Sequence, residues 1–181
     1  MRRRIIALVA SVVLVGAVAI ATGVAGATGT SDGPALKAGS PGTFDIVGNV
    51  KQRLVLNTAV LDKLPSKTLE VTFRAGSATE NHTFTGPLLR DVLALAGPQF
   101  DAAVKNDKLR HYVSATGSDG YQVLVAWGEI DPDFENKDIL LATTQDGVSL
   151  ADEGPRLVVP GDDRGGRYVT GVVRVRLDRG R

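Results

Sequence analysis

From residue 44 to the C-terminus the chain is written in short runs of Val, Leu and Ile separated by turn residues, and this rhythm limits the fold more than any other feature. Residues 44–47 and 54–56 are short strand candidates. Residues 68–74 alternate Leu69, Val71 and Phe73 on one side with Glu70, Thr72 and Arg74 on the other, the period of a half-buried strand. Further candidates are 111–115, 121–126, 139–143, 156–159 and 168–177; in the last, Val173, Val175 and Leu177 oppose Arg174, Arg176 and Asp178. One helix is well marked. It opens at Gly86-Pro87, where a first-turn proline needs no N–H donor, and ends at Gly97-Pro98, with Leu88, Leu89, Val92, Leu93 and Ala96 at helical spacing. A shorter turn over 58–64 stops at Pro65, and 99–109 holds room for a third. Helices do not follow strands regularly, so the pattern predicts a strand-rich α+β domain and not a doubly wound sheet.

A different composition precedes this body. Arg2, Arg3 and Arg4 stand ahead of an uncharged run, 5–27, that ends in Ala25-Gly26-Ala27, a small-x-small pattern. Residues 1–27 therefore read as a signal peptide cleaved after Ala27, which predicts an exported protein of the extracellular space or cell envelope. The rival is an uncleaved anchor, since the run is long enough to cross a hydrocarbon core about 30 Å thick; the membrane would be met only through it. Arg2-Arg3-Arg4-Ile5-Ile6 also meets a minimal twin-arginine pattern without its fuller flanks. Residues 28–43, rich in Gly, Ser, Thr and Pro, read as a flexible tether, which leaves 44–181 as the domain. Once the first three arginines are set aside, 18 basic side chains face 20 acidic ones, a balance that excludes a basic nucleic-acid binder. With no cysteine, the chain has no disulfide, thiolate ligand, Cys nucleophile or lipidated Cys.

The stock of catalytic side chains is small. His82 and His111 are the only imidazoles and are not spaced for a zinc site; His111 opens a strand pattern and reads as a packed or edge side chain. Asp131-Pro132-Asp133-Phe134-Glu135 has the look of a calcium loop but carries Asn136 at the glycine position, so it reads as a solvated acidic loop. Asn81-His82-Thr83 is a glycosylation sequon that matters only in a pathway that glycosylates. Ser114, Ser118 and Ser149 lack a nucleophile elbow. The segment Gly161-Asp162-Asp163-Arg164-Gly165-Gly166-Arg167 is richer: flexible backbone N–H groups beside two guanidinium groups make a seat for an anion. The competing reading is a polar hairpin in which Asp162 and Asp163 neutralise the arginines.

Taken in order, Leu64-Pro65 leading into Thr68 to Phe73, the run Phe84-Thr85-Gly86-Pro87-Leu88-Leu89-Arg90-Asp91-Val92-Leu93, Asp119-Gly120-Tyr121, Ile139 to Ala142, Asp146 to Leu150, Gly154-Pro155-Arg156-Leu157-Val158-Val159-Pro160-Gly161 and Gly165-Gly166-Arg167-Tyr168-Val169 resemble the molybdopterin-binding domain of the sulfite oxidase family. The resemblance implies a compact mixed-sheet domain over some 130 residues. It also places Arg74 where active members hold molybdenum through a cysteine, and Thr170 and Gly171 where they carry a basic residue and a tryptophan. A protonated guanidinium cannot act as a soft anionic ligand. The departures imply a retained fold with redox chemistry lost: no cofactor is expected, with molybdopterin kept as the rival. Arg167 matches an arginine of the loop lining the pterin site, and Tyr121 a tyrosine near the substrate pocket. With Arg74 and Arg164 they form the candidate ligand pocket, no catalytic or metal-ligating residue is assigned, and the expected role is an anion-binding or interaction module. The partner expected is a small anionic ligand or an envelope protein; the alternatives are an active oxidoreductase with non-Cys coordination and a purely structural envelope domain.

Overall fold

The short strand expected at 44–47 extends to β1 (Thr43–Gly48), with Phe44 and Ile46 in the apolar core and Asp45 on the opposite side of the strand. A computed structural model describes residues 42–180. The export segment 1–27 lies outside the described residues, as does the tether except for its last two residues. Those two belong to the domain, because Thr43 pairs with Asn57 in the sheet. β1 runs antiparallel to β2 (Leu54–Asn57), and the single-turn helix α1 (Thr58–Leu61) follows, capped by the Asn57 side chain accepting from Val60 N at 3.0 Å.

Next comes a long hairpin, β3 (Ser66–Ala75) and β4 (Ala78–Pro87), and then helix α2 (Leu89–Ala96), which ends at Gly97 in the left-handed region, φ 68°. Here the sequence reading needs two corrections. Residues 78–85 form a strand it did not assign, and Pro87 closes that strand opposite Ser66 instead of opening the helix, whose cap is Leu88. Residues 99–109 hold no α-helix; after Asn106, at φ 54°, the chain makes only a 3-10 turn, Asp107–Arg110.

Strand β5 (His111–Gly117) pairs with β6 (Gln122–Ala126), and the one-turn helix α3 (Trp127–Ile130) follows, with Glu129 accepting from Ala126 N at 2.9 Å. The acidic loop is exposed from Pro132 to Asn136, as expected of a solvated loop, and only its first residue, Asp131, is buried, 6% exposed. The Lys108 ammonium fills the loop, 2.9 Å from Asp131 and 2.6 Å from Asp133, and Trp127 Nε1 donates to Asp131 at 2.7 Å. His111 is packed as expected, between the Asp107 carbonyl and Asn49.

The last part contains β7 (Leu140–Ala142), β8 (Thr144–Gln145), β9 (Val148–Ser149), β10 (Arg156–Val158) and β11 (Val172–Arg179). The hairpin β8–β9 turns on Asp146-Gly147, both at positive φ, as a two-residue turn of this type requires. The expected strand at 168–177 begins only at Val172, and a register shift against β5 between Val172 and Arg174 turns Val172 inward. Val173 is therefore 37% exposed and does not join Val175 and Leu177 in the core.

Among the described residues the strands form a five-stranded sheet, β2-β1-β11-β5-β6, a four-stranded sheet, β3-β4-β8-β9, and the pair β10-β7. β1 and β11 are parallel and the other neighbours antiparallel, so the first and last strands lie side by side in a mixed sheet. α2 and α3 pack against the larger sheet's core with Leu89, Val92, Leu93, Trp127 and Ile130. A second apolar cluster under β3 and β4, including Phe73, Phe84, Leu140 and Tyr168, supports the candidate site.

Candidate functional site

The connection from β10 to β11 leaves the core at Pro160 and folds across the end of β3. Gly165 sits on the ring of Phe73 so closely that a β-carbon there would stand 2.7 Å from two ring atoms. The loop is also stitched to β3 by main chain: Arg74 N donates to the Asp163 carbonyl at 3.0 Å, and Arg74 and Arg164 form an isolated parallel bridge. A shallow concavity of about 420 Å³ results, lined by Gly161, Asp162, Asp163, Arg164, Gly166 and Arg167.

All four predicted site residues meet at this loop, from three parts of the sequence. The Tyr121 hydroxyl donates to the Gly166 carbonyl at 2.7 Å. The Arg74 guanidinium pairs with the Asp163 carboxylate. Arg167 donates through Nε and Nη2 to both oxygens of Asp162, each at 2.7 Å, and through Nη1 to Glu129 at 3.0 and 3.2 Å. These acceptors, Asp162 first, hold its pKa above the usual arginine value against the opposing effect of burial. Asp162 therefore neutralises Arg167, as the polar-hairpin reading expected, whereas Asp163 pairs with Arg74 of β3 and not with its loop neighbour Arg164. Arg164 is exposed and makes no ion pair among the described residues.

Two further residues were missed. Tyr168 stacks on Phe73 with ring centroids 4.3 Å apart, is 7% exposed, and its hydroxyl has no hydrogen-bond partner among the described residues. Burial pushes its pKa up, Asp162 adds to that, and the charges of Arg156 and Arg167 pull it back. Arg156 lies over Phe84, 5.5 Å from the ring centroid, and donates through Nη1 to Gln145 Oε1 at 2.7 Å; its Nε–H is buried and has no hydrogen-bond partner among the described residues. A buried donor without an acceptor costs about 1–3 kcal/mol. Neither Tyr168 nor Arg156 lines the concavity itself; both lie beneath the loop, on the side of the second apolar cluster, with Arg156 close enough to Tyr168 for its charge to act on the hydroxyl. The sequence signal was an arginine at the head of an apolar strand, Arg156-Leu157-Val158-Val159, which needs a partner when that strand is buried.

Residues 40–177 match the sequence model of a family described as the oxidoreductase molybdopterin binding domain. Among solved structures, the sulfane dehydrogenase SoxCD from Paracoccus pantotrophus is similar over 80% of this chain, with a TM-score of 0.61 and 20% identity. The match spans 40% of that protein's chain, so the likeness is one of fold. No curated protein matches the chain.

Proposed function

Starting from a chain that belongs to the oxidoreductase molybdopterin-binding domain family, we propose that this member binds a small anionic ligand at the loop 161–167 and runs no molybdenum redox chemistry. The observation that carries the reading is the pair of buried, unpartnered donors, Tyr168 Oη and Arg156 Nε. Arg164 adds an exposed positive charge at the mouth. Against a metal centre stand the donor types present: a guanidinium, Arg74, at the position the family resemblance gives to the metal's cysteine, already paired with Asp163, with the carboxylates of Asp162 and Glu129 on the same loop's Arg167 and no thiolate in the chain. These residues do not fit a molybdenum ion that needs a soft anionic ligand. The setting proposed is outside the cytoplasm, after export directed by 1–27.

Metal analysis and pterin fluorescence on protein purified from its own exporting cells test this reading. Molybdenum well below one atom per chain is expected, and a stoichiometric content would overturn the proposal in favour of an active oxidoreductase. Calorimetric titration with sulfate and phosphate tests the site; absence of binding by every anion tried would leave a structural envelope domain.

Tyr168→Phe separates ligand binding from folding. Without ligand, deleting an unpartnered hydroxyl should leave stability unchanged or raise it by about 1 kcal/mol. Sulfate binding should weaken about tenfold, for loss of roughly 1.4 kcal/mol of hydrogen bonding. Urea unfolding and calorimetry measure both, and a destabilised variant with undiminished binding would remove Tyr168 from the site.

A further inference from the structure

We propose that His82 is a proton-operated latch on the anion site: the hydrogen on its Nδ1 decides whether the imidazole holds the Gln145 amide, and Gln145 in turn holds the guanidinium of Arg156. The inference rests on the reading of Arg156 and Tyr168 as ligand donors, and it concerns how their site is regulated.

The geometry is a conflict at one atom. His82 lies on the inner row of β4, opposite Val71 and between the flanking inner residues Glu80 and Phe84. The β8–β9 turn brings two groups to its Nδ1: Asp146 Oδ2 at 2.7 Å and Gln145 Nε2 at 3.2 Å. The carboxylate needs a hydrogen on that nitrogen and the amide NH₂ needs its lone pair, so one protonation state cannot satisfy both. Turning the amide over does not resolve the conflict, because Gln145 Oε1 already accepts from Arg156 Nη1 at 2.7 Å and an NH₂ there would face a donor. The other ring nitrogen faces Glu80 Oε2 at 3.3 Å, while the second Asp146 oxygen accepts from Thr83 N at 2.8 Å.

Each state has its own set of bonds. The imidazolium donates to Asp146 and to Glu80 and releases the Gln145 amide. The neutral ring has two tautomers: with its hydrogen on Nδ1 it keeps Asp146 and leaves Gln145 released, and with its hydrogen on Nε2 it faces Glu80 as a donor, accepts from Gln145 and turns a lone pair towards Asp146; the latch closes through the second. The charged and titratable groups around the ring are Glu80 from β4, Asp146 from the β8–β9 turn and, through Gln145, Arg156 from β10; the rings of Phe73 and Phe84 cover it at 6.0 and 5.8 Å between centroids. The hydrogen bond to Asp146 is the largest influence and raises the pKa of His82, burial opposes it, and Glu80 raises it further. A raised folded value means that the imidazolium's contribution to stability is complete below the ordinary value of about 6.5 and is lost as pH climbs through the folded one.

On the acid side, release of Gln145 leaves Arg156 free to exchange an amide oxygen for an anion. On the alkaline side the amide is fixed by the ring and the guanidinium is fixed by the amide. Affinity for an anion is therefore higher below the His82 midpoint, by about fivefold, at the low end of ordinary coupling between sites.

Two titrations of the full chain test this. In the first, without ligand, NMR follows the His82 ring, the Gln145 side-chain NH₂ and the Arg156 Nε–H across the pH range; the latter two should move with the His82 midpoint. If they stay still while His82 titrates, the latch is overturned whatever anions do. In the second, sulfate, whose charge is constant across this range, is titrated on each side of the midpoint into wild type, His82→Gln and Gln145→Ala. The fivefold difference should appear in wild type and vanish in both variants; Gln145→Ala retains the histidine and so separates the relay from a general gain of positive charge. Sulfate binding of equal strength on both sides overturns the latch and leaves the anion site standing. Resonances that follow His82 in a protein binding no sulfate support the latch and overturn the anion site instead.

Discussion

Gly86→Ala is expected to cost about 3 kcal/mol of folding stability or more, the upper end for adding one methyl group to a packed interior. A β-carbon at this position would stand 2.4 Å from the Leu141 carbonyl oxygen and 2.6 Å from the Ala142 α-carbon, and both are backbone atoms with no rotamer to yield. The end of β4 is pinned against β7 on both sides of Gly86: Thr143 N donates to the Thr85 carbonyl and Leu89 N to the Ile139 carbonyl, each at 2.8 Å. Moving the strands apart would loosen Phe84, Leu140 and Leu141, all fully buried. Urea unfolding should show a large fall in midpoint at constant slope. Gly166→Ala, where a β-carbon meets open space, is the control and should stay within about 0.5 kcal/mol. A Gly86 variant as mild as that control would mean that β4 and β7 part freely.

The same contact explains what the sequence hid. β3 was legible because its inner row is Leu69, Val71 and Phe73, apolar at period two. Its partner β4 places Glu80 and His82 on the inner row beside Phe84; Glu80 stays 40% exposed, and His82 is accommodated by Asp146, sixty-four residues after it. No local pattern carries that information. Val173 was misplaced for a related reason: a bulge resets the alternation, and its signature is the pairing with β5, not the residues of β11.

The site was half legible in the same sense. Three of the four candidate residues are arginines, and the sequence places acidic residues beside two of them, but it does not say which carboxylate takes which. Asp162 is five residues from Arg167, whereas Glu129 reaches it from α3, thirty-eight residues away. Tyr168 and Arg156 read as strand and turn residues; only the fold shows that their polar atoms are sealed in without acceptors.

Arg167→Met should destabilise the protein by about 2 kcal/mol, and the source of the loss can be isolated. Exposed ion pairs contribute at most about 1 kcal/mol and breaking fully buried ones costs about 3–5. Arg167 is 29% exposed, and Asp162 and Glu129 20% each, which places the cluster between those limits. Methionine keeps most of the stem volume, so the change is chiefly electrical: two carboxylates lose the cation they share, and only Lys137, 3.7 Å from Glu129, remains beside them. Adding Glu129→Gln, which preserves an acceptor for Ala126 N, should recover part of the loss by removing one of the two charges; recovery in the double variant measures the coupling directly. If nothing is recovered, the loss belongs to packing and not to charge. Sulfate affinity of the folded Arg167→Met protein should change less than threefold, because this guanidinium's hydrogen bonds are already taken by Asp162 and Glu129. A tenfold loss there, with Tyr168→Phe silent, would transfer the ligand site from the buried donors beneath the loop to the arginine within it.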